Sequence, residues 1–326
     1  MEPHELIRTL INGGIPARCL QFVADLGVAD QIDGEPVAAR VLADSRGVNA
    51  AALDRVLRLL AAYGVFDRRA DGYLHTDASR LLRSDHPASM RAFGQMNGLP
   101  VFVQGLADLP HSVRTGAPSV ELTAPDGMWA YLQREPEQLE VFARAMTAHT
   151  AADIPTVLGA YDFQASRRIA DIGGGRGLRL AAVLVPAAVA TGVLFALPDV
   201  VQAGGLAHPR LTRKAGDFFV DPLPKADTYL LMEILHDWAD AETIAILSAV
   251  ARAAPPDAKV LVIETLLADD SLDPHALTLD VVMLLSTGGR ERTEAELAVL
   301  LRTAGLRLTR VIDTPGMMRI AESVPA

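Results

Sequence analysis

The sequence has little cysteine, few aromatic residues and no excess of positive charge. Cys19 is the single cysteine among 326 residues, which excludes an intrachain disulfide and a cysteine-based metal cluster. Lysine and arginine together number 30 against 40 aspartates and glutamates, for a formal net charge of −10. Binding to nucleic acid normally requires a basic face, so we expect no nucleic-acid partner. Half of the residues are apolar, as in well-packed proteins, and the length allows two domains.

Signals for export and for membrane insertion are also lacking. The chain starts with MEPHELIRTL, which has acids where a signal peptide carries basic residues, so we expect a cytoplasmic protein. The run Leu180–Pro198 has no charged residue and is about as long as a spanning helix. Pro186 and Gly192 interrupt it, and a buried helix followed by a buried strand explains it better than a bilayer segment does. We therefore expect no membrane association.

Residues 1–95 show the element order of a winged-helix domain. Asn49 is a suitable N-cap for the segment AALDRVLRLLAAYGVF, in which Leu53 and Leu57 belong to an apolar stripe at helical spacing. A candidate ribbon follows, with strands Val65–Asp67 and Tyr73–His75. Such a domain binds DNA or serves as a dimerisation platform. Because residues 1–100 carry 11 arginines, no lysine and 12 acidic residues, the segment is nearly neutral, which favours dimerisation.

Two further regions follow this predicted domain. Residues 96–155 are expected to form a connector of short helices, broken by five prolines between residues 100 and 136. Their aromatic and methionine side chains either fill an ordinary core or line a flat, apolar substrate pocket between the domains. In residues 156–326 strands and helices alternate, which predicts an α/β domain with a doubly wound, Rossmann-like sheet. Thr293 and Glu296 form a capping box there, and residues 306–314 and 317–323 are expected to add a final antiparallel pair.

A glycine-rich turn connects the first strand of this predicted sheet to its helix. The run from Asp171 to Gly177, DIGGGRG, follows the strand, and glycine lets backbone amides approach a ligand closely. A turn of this type serves a dinucleotide when the helix N-terminus holds a pyrophosphate. Here an acid, Asp171, precedes the first glycine with one residue between them, and its carboxylate would repel a pyrophosphate but accept hydrogen bonds from an amino group. The zwitterionic methionine moiety of S-adenosylmethionine fits this charge better than NAD does.

His236 is the candidate general base. It follows the fourth predicted strand, and ligands of doubly wound sheets bind beyond the carboxyl ends of the strands. Glu264, at the end of the next strand, and Glu291, in a glycine-rich loop, are expected at the same edge. A phenol with a pKa of about 10 is mostly protonated at neutral pH, so an imidazole held in one tautomer by a carboxylate accelerates its reaction. We interpret Asp237 as a helix-capping acid, and no spacing of potential ligands predicts a metal site.

Six motifs occur along the chain in a fixed order: DIGGGRG, LFALPDVV, AGDFF, LLMEILHDW, VIE and GGRERT. In order and spacing they resemble the winged-helix class of S-adenosylmethionine-dependent small-molecule O-methyltransferases, of the caffeic-acid, hydroxyindole and antibiotic-tailoring types. The resemblance covers nearly the whole chain. It implies a homodimer formed through the N-terminal domain, and an acceptor that is a small aromatic or polyketide-type hydroxyl compound of secondary metabolism.

The resemblance also implies three groups of functional residues. It assigns catalysis to His236 as base, with Glu264 and Glu291 orienting it. The cofactor-binding residues are Asp171, Gly173, Gly175 and Gly177 at the methionine end, Asp217 and Phe218 beside the adenine, and Thr150 at the carboxylate. The acceptor-lining residues, which match only loosely, are Phe142, Met146, Met232 and Met283.

Ala196 departs from the family pattern. Such enzymes normally end the second strand of the sheet in an acid that binds both ribose hydroxyls, and this chain has Phe195-Ala196-Leu197-Pro198 there. Asp199, on the next turn, is the alternative source of a carboxylate. Loss of the charge-assisted contact costs about 1.5–3 kcal/mol of cofactor affinity.

Two other functions stay open beside methyl transfer. Ala196 favours a non-methylating biosynthetic enzyme on the same fold, such as a decarboxylase, hydroxylase or pericyclase. A ligand-sensing winged-helix regulator is the third interpretation. The set of His236, Glu264 and Glu291 and the lack of a basic face both argue against a regulator.

Overall fold

The computed structural model describes residues 2–202 and 204–326, and the chain divides into two compact units. The first unit comprises Met1–Val103 and Pro136–His149, and the second comprises Gln104–Glu135 and Thr150–Ala326. The residues of the predicted connector, 96–155, are therefore divided between the two units. Among the described residues, no helix is both long enough and apolar enough to cross a membrane.

Over the described residues 2–160, the chain is helical apart from turns, loops and one two-stranded ribbon. Its helices are α1 (Pro3–Asn12), α2 (Gly14–Leu26), α3 (Ala39–Asp44), α4 (Ala50–Ala62), α5 (Asp77–Arg80), α6 (Arg91–Asn97), α7 (Pro100–Ala107), α8 (Leu109–Thr115), α9 (Gly127–Arg134) and α10 (Pro136–Ala160). The ribbon consists of β1 (Phe66–Arg68) and β2 (Tyr73–His75), which pair antiparallel.

Helix α4 begins where its N-cap predicts. The side chain of Asn49 accepts a hydrogen bond from the amide of Ala52 at 2.9 Å and so satisfies one of the free N–H groups of the first turn. Leu53 and Leu57 are buried in the core of the first unit, together with Phe66 of the ribbon. The predicted apolar stripe thus faces the core, and the helices α3 and α4 precede the ribbon in the predicted order.

The second unit contains a mixed sheet in the order β5-β4-β3-β6-β7-β10-β9, with β8 paired to β7. Its strands are β3 (Arg168–Ile172), β4 (Thr191–Ala196), β5 (Leu211–Ala215), β6 (Thr228–Met232), β7 (Lys259–Leu267), β8 (Arg292–Thr293), β9 (Leu306–Asp313) and β10 (Met318–Pro325). Strands β3 to β7 run parallel, and β10 is antiparallel to both β7 and β9. The helices of this part are α11 (Leu178–Val183), α12 (Pro198–Gln202), α13 (Asp240–Ala253), α14 (Pro274–Ser286) and α15 (Glu294–Thr303).

Alternate residues of each strand enter cores on opposite faces of the sheet. On one face Ala170 and Ile172 of β3 are buried with apolar residues of α13 and α15. On the other face Ile169 of β3 is buried with apolar residues of α11 and of the end of α10. Helices on both faces of a largely parallel sheet define a doubly wound fold, and they explain why its central strands are almost continuously apolar.

Several local predictions for this region are confirmed. The uncharged run Leu180–Pro198 contains most of α11 and all of β4, so it is a helix followed by a strand. The Thr293 side chain accepts from the amide of Glu296, whose carboxylate accepts in turn from the amide of Thr293, which completes the capping box of α15. The last two strands pair antiparallel as expected.

Candidate active site

His236 lies in a short 3-10 turn, Leu235–Asp237, directly beyond the carboxyl end of β6. Its ring Nδ1 is 2.7 Å from Oε1 of Glu291, and both side chains are buried. A carboxylate at this distance fixes the donor tautomer at Nδ1 and leaves Nε2 as the nitrogen that can exchange a proton with a ligand. The predicted contact between His236 and Glu291 is therefore present.

Glu264 supports His236 through the backbone and not through the ring. Its Oε1 accepts hydrogen bonds from the amides of Ile234, Leu235 and His236, at 3.2, 2.6 and 3.1 Å. Strand β7 also continues past Glu264 to Leu267, so this residue is not the end of its strand. The parallel pairing with β6 stops one residue before Glu264, at Ile263, so the carboxylate of Glu264 lies where the pairing has ended and accepts from the amides of the turn.

Arg292 holds the same turn from its carbonyl side. Its guanidinium donates to the carbonyl oxygens of Leu235 at 2.9 Å and Trp238 at 2.7 Å, and it also binds Asp240. The side chain is almost completely buried. Sequence reasoning missed this residue because its partners lie more than 50 residues away and two of them are main-chain carbonyls. Its one available signal was an arginine directly after the predicted Glu291.

Gly289 allows the loop that carries Glu291 to pack against the histidine turn. A Cβ atom at this position would lie 1.9 Å from the carbonyl oxygen of His236 and 2.7 Å from the amide nitrogen of Trp238. Any side chain would therefore force the loop and the turn apart. The glycine in the GGRERT motif is thus required for backbone packing.

Asp237 does not cap a helix, so the interpretation of this residue was wrong. The N-cap of α13 is Ala239, and Asp237 belongs to the turn before it. One of its carboxylate oxygens is 3.8 Å from Nε2 of His236. Asp237 therefore adds negative charge on the side of the imidazole that faces away from Glu291.

The charges around His236 shift its proton affinity strongly. Burial alone would lower the pKa of His236, but the hydrogen bond to Glu291 and the charges of Asp237 and Glu264 outweigh burial and raise the pKa to about 10. Burial raises the pKa of Asp237 to about 7, although His236 opposes the rise. Burial also raises the pKa of Glu264. The site is thus built to hold a proton on the imidazole tightly.

The glycine turn leaves β3 and contacts the chain just before His236. Gly173, Gly175 and Gly177 all have positive φ, at 75°, 56° and 80°. A Cβ on Gly173 would lie 2.6 Å from Cδ1 of Ile234. The turn and the histidine segment are therefore in direct contact at the carboxyl edge of the sheet.

Asp171 is the second-to-last residue of β3, below this turn, and its carboxylate is completely buried. Among the residues that the structure describes, neither of its oxygens has a hydrogen-bond partner. A Cβ on Gly174 would lie 2.0 Å from Oδ2, so only glycine lets the turn cover this carboxylate. A buried carboxylate without a partner is unfavourable, and a cationic ligand above the turn would compensate its charge. These residues therefore fit the methionine end of S-adenosylmethionine.

The residues expected at the adenine and ribose follow β5 and β4. Asp217 accepts from the amide of Phe219 at 2.9 Å, and Phe218 packs edge-to-face on Trp238 with ring centroids 5.9 Å apart. Ala196 is the buried last residue of β4, and Asp199 is exposed in the first turn of α12. The position at which a carboxylate that binds the ribose was expected is thus occupied by the methyl group of Ala196.

The remaining predicted residues lie in both units. Phe142 is in the first unit and is parallel to Phe102 at a centroid distance of 6.5 Å. Met146 is half-buried in that unit, and Met283 is buried in α14 of the second. Met232 is buried in the core below the glycine turn. Thr150 is buried in α10. Their roles stay predictions.

The fold and the site together define a methyltransferase-type α/β domain, and comparisons with known proteins specify it. The model of the O-methyltransferase domain matches residues 106–307, and that of the O-methyltransferase dimerisation domain matches residues 9–85. The mitomycin biosynthesis 6-O-methyltransferase of Streptomyces lavendulae is 34% identical over 328 residues, which cover 98% of this chain and 93% of the relative.

Two solved structures extend the match to the whole fold. The crystal structure of LaPhzM superimposes with a TM-score of 0.96 at 34% identity and covers 100% of both chains. NcsB1, an O-methyltransferase of neocarzinostatin biosynthesis solved with S-adenosylmethionine and 2-hydroxy-5-methyl naphthoic acid, has a TM-score of 0.81 at 31% identity, with 96% of each chain covered. The chain therefore belongs to the O-methyltransferase family that carries an N-terminal dimerisation domain.

Proposed function

We propose that this enzyme is an S-adenosylmethionine-dependent O-methyltransferase that methylates a hydroxyl group of a small aromatic or polyketide-type secondary metabolite, with His236 as general base. The observation that carries the proposal is the buried contact of 2.7 Å between Nδ1 of His236 and Glu291, on a turn held from both sides by Glu264 and Arg292. One relative is a mitomycin biosynthesis 6-O-methyltransferase, and NcsB1 was solved with a naphthoic acid.

In this proposal the chain's own residues bind the cofactor and move one proton. Asp171, Gly173, Gly175 and Gly177 hold the methionine end, Thr150 the carboxylate, and Asp217 and Phe218 the adenine. The bound cofactor supplies an electrophilic methyl group on a sulfonium. His236 takes the hydroxyl proton of the acceptor on Nε2, while Glu291 keeps Nδ1 protonated and stabilises the imidazolium that forms. Phe142, Met146, Met232 and Met283 are proposed to line the acceptor site.

The raised pKa of His236 determines how this base operates. An imidazole with a pKa of about 10 matches a phenol of about the same pKa, so the proton transfer between them is close to balanced. At neutral pH the imidazole of His236 in the free enzyme is doubly protonated and must lose one proton before it can act as a base. The rate of methyl transfer should therefore rise with pH, whether the proton is lost from the enzyme or from the acceptor before the acceptor binds.

The proposed homodimer forms through the N-terminal helices. All described residues of α1 are at least partly exposed, including Leu6, Ile7, Leu10 and Ile11, whose exposed fractions are 47% to 77%. A contiguous apolar helix face of this kind is favourable only when it is covered. A second copy is the occupant that the matched dimerisation domain supports. Light scattering that shows a monomer at micromolar concentration would contradict the dimer.

The experiment for the reaction is a product assay with a panel of naphthols, hydroxyindoles and hydroxylated polyketides. The enzyme is incubated with each acceptor and S-adenosylmethionine, and mass spectrometry follows the methyl ether and S-adenosylhomocysteine. Equal amounts of both, abolished by His236→Asn, support methyl transfer. A converted acceptor without an added methyl group, with the cofactor bound but not consumed, supports instead the non-methylating alternative that Ala196 favours.

A further inference from the structure

The buried carboxylate of Asp171 has one charged neighbour among apolar ones. In register on β4 and β6 it is flanked by Leu194 and Leu230. A small cavity beside it is lined by the side chains of four surrounding elements. These are Ile154, Val157 and Leu158 of α10, Arg179 and Val183 of α11, Leu230 and Met232 of β6, and Ile263 of β7. Of the described residues in this lining other than Asp171, Arg179 alone carries a charge.

Arg179 also connects the glycine turn to β6. It lies in the first turn of α11, two residues after Gly177, and its guanidinium donates a hydrogen bond to the carbonyl oxygen of Met232, the last residue of β6. The next residue, Glu233, has a left-handed φ of 54°, an unfavourable conformation for a residue with a side chain. The chain then reaches His236. Arg179 thus fixes the strand end from which the catalytic turn departs.

Burial and Arg179 act on Asp171 in opposite directions. Burial raises the pKa of Asp171 to about 6, and the positive charge of Arg179 lowers it. Without this cation, the carboxylate would be protonated over a wider pH range. A protonated Asp171 would lose the charge that compensates the cationic groups of a bound cofactor.

We propose that Arg179 is a positioning residue of the cofactor site, which keeps Asp171 charged below the glycine turn and ties α11 to the strand end that carries the histidine turn. The proposal rests on the proposed binding of S-adenosylmethionine at this turn. It assigns to Arg179 a charge-dependent role that an apolar residue of similar length cannot fill.

The test compares Arg179→Met, which keeps the length and removes the charge, with Arg179→Lys, which keeps the charge. Binding of S-adenosylmethionine is measured by calorimetry between pH 5 and 7 on the wild-type protein, on both variants and on Asp171→Asn. In the wild type, affinity should rise with pH as Asp171 ionises. In Arg179→Met this rise should move to higher pH by about one unit, with about fivefold weaker binding at pH 6. Arg179→Lys should retain most of the wild-type profile, and Asp171→Asn should show no such rise.

A second readout uses the ligand-free protein, so it does not depend on the cofactor. Because the native pKa of Asp171 exceeds the unfolded value of 3.8, native protein binds more protons between about pH 4 and 6. The free energy of unfolding in urea, relative to Asp171→Asn, should therefore fall as pH rises through this window. In Arg179→Met the fall should extend to higher pH.

The two readouts separate failure of the inference from failure of the proposed function. If the wild type does not bind S-adenosylmethionine, the proposed function fails, and the unfolding profiles decide whether Arg179 acts on Asp171. If Arg179→Met bound S-adenosylmethionine with the same pH dependence as the wild type, the proposal would be overturned. Where the wild type does not bind, an unchanged pH dependence of unfolding in Arg179→Met would overturn it. So would equal weakening by Arg179→Lys and Arg179→Met at every pH, because that result indicates a purely structural role.

Discussion

The histidine turn and the glycine turn lie at the same edge of the sheet and differ in how their polar groups are satisfied. Around His236, Glu264 accepts from three amides and Arg292 donates to two carbonyls, so the turn is held by the protein alone. Below the glycine turn, both oxygens of Asp171 lack a partner in the described part of the chain, and Ala196 offers no polar group. The base is preorganised, whereas the buried carboxylate at the cofactor end depends on its ligand for hydrogen-bond partners.

The largest expected effect is on the preorganised side. His236→Asn should lower kcat by about a hundred- to ten-thousandfold, because an amide cannot take the acceptor's proton. The affinity for S-adenosylmethionine should stay within about twofold, since the residue is not among those proposed to hold the cofactor. Single-turnover kinetics and calorimetry on the same preparation measure the two quantities. A kcat within tenfold of the wild type would show that another group acts as base or that none is needed.

Arg292→Met removes the guanidinium that holds the histidine turn by its carbonyl groups and leaves the imidazole itself unchanged. The carbonyls of Leu235 and Trp238 lose a charged donor in a buried environment, so the free energy of unfolding should fall by about 3 kcal/mol. The matched control is Arg290→Met in the same loop. Arg290 is 41% exposed and pairs with acids at the surface, so its removal should cost less than about 1 kcal/mol. Urea unfolding of both variants measures the two changes in the free energy of unfolding. Equal losses would contradict a special role for the contacts of Arg292 with the histidine turn.

The contrast between the two turns also shows where sequence reasoning succeeds. The ribbon, the last two strands and the Thr293 capping box follow from local patterns, so their positions were predicted within a few residues. The contact of His236 with Glu291 was predicted because a histidine beyond a strand end and a glutamate in a glycine-rich loop were expected at one sheet edge. The roles of Glu264 and Arg292 depend on backbone atoms brought close by the fold, and no residue pattern distinguishes a ring partner from a backbone partner.

Glu291→Gln should change the pH dependence of the reaction more than its rate at one pH. Loss of a charge-assisted hydrogen bond worth about 1.5–3 kcal/mol lowers the pKa of His236 by about one to two units. In the wild type, log kcat/KM should rise between pH 7 and 9 with a slope near one, because one proton must be lost and the pKa is raised to about 10. In the variant the rise should end at lower pH and at a lower plateau, since the base is weaker.

The control for this profile is stability over the same pH range. Because the pKa of His236 is raised in the native state, the stabilisation from its pair with Glu291 is complete below the unfolded pKa of 6.5 and is lost as pH rises through about 10. In Glu291→Gln the pKa of His236 is lower by about one to two units, so this loss should be smaller and should end at lower pH. Identical pH–rate profiles for wild type and variant would show that the titration seen in kinetics belongs to the acceptor alone.

The smallest expected effect is on the cofactor side and is a gain. Ala196→Asp places a carboxylate at the end of β4, where two ribose hydroxyls can donate to it. The contact is worth about 1.5–3 kcal/mol, and desolvation of the carboxylate offsets part of it, so calorimetry should show about tenfold tighter binding of S-adenosylmethionine. Ala196→Asn is the matched control, because it has the same shape but only one accepting oxygen and no charge, so it should gain less. If Ala196→Asp binds no more tightly than the wild type, the ribose has another partner in this chain, and the cofactor end is more complete than the unpartnered Asp171 indicates.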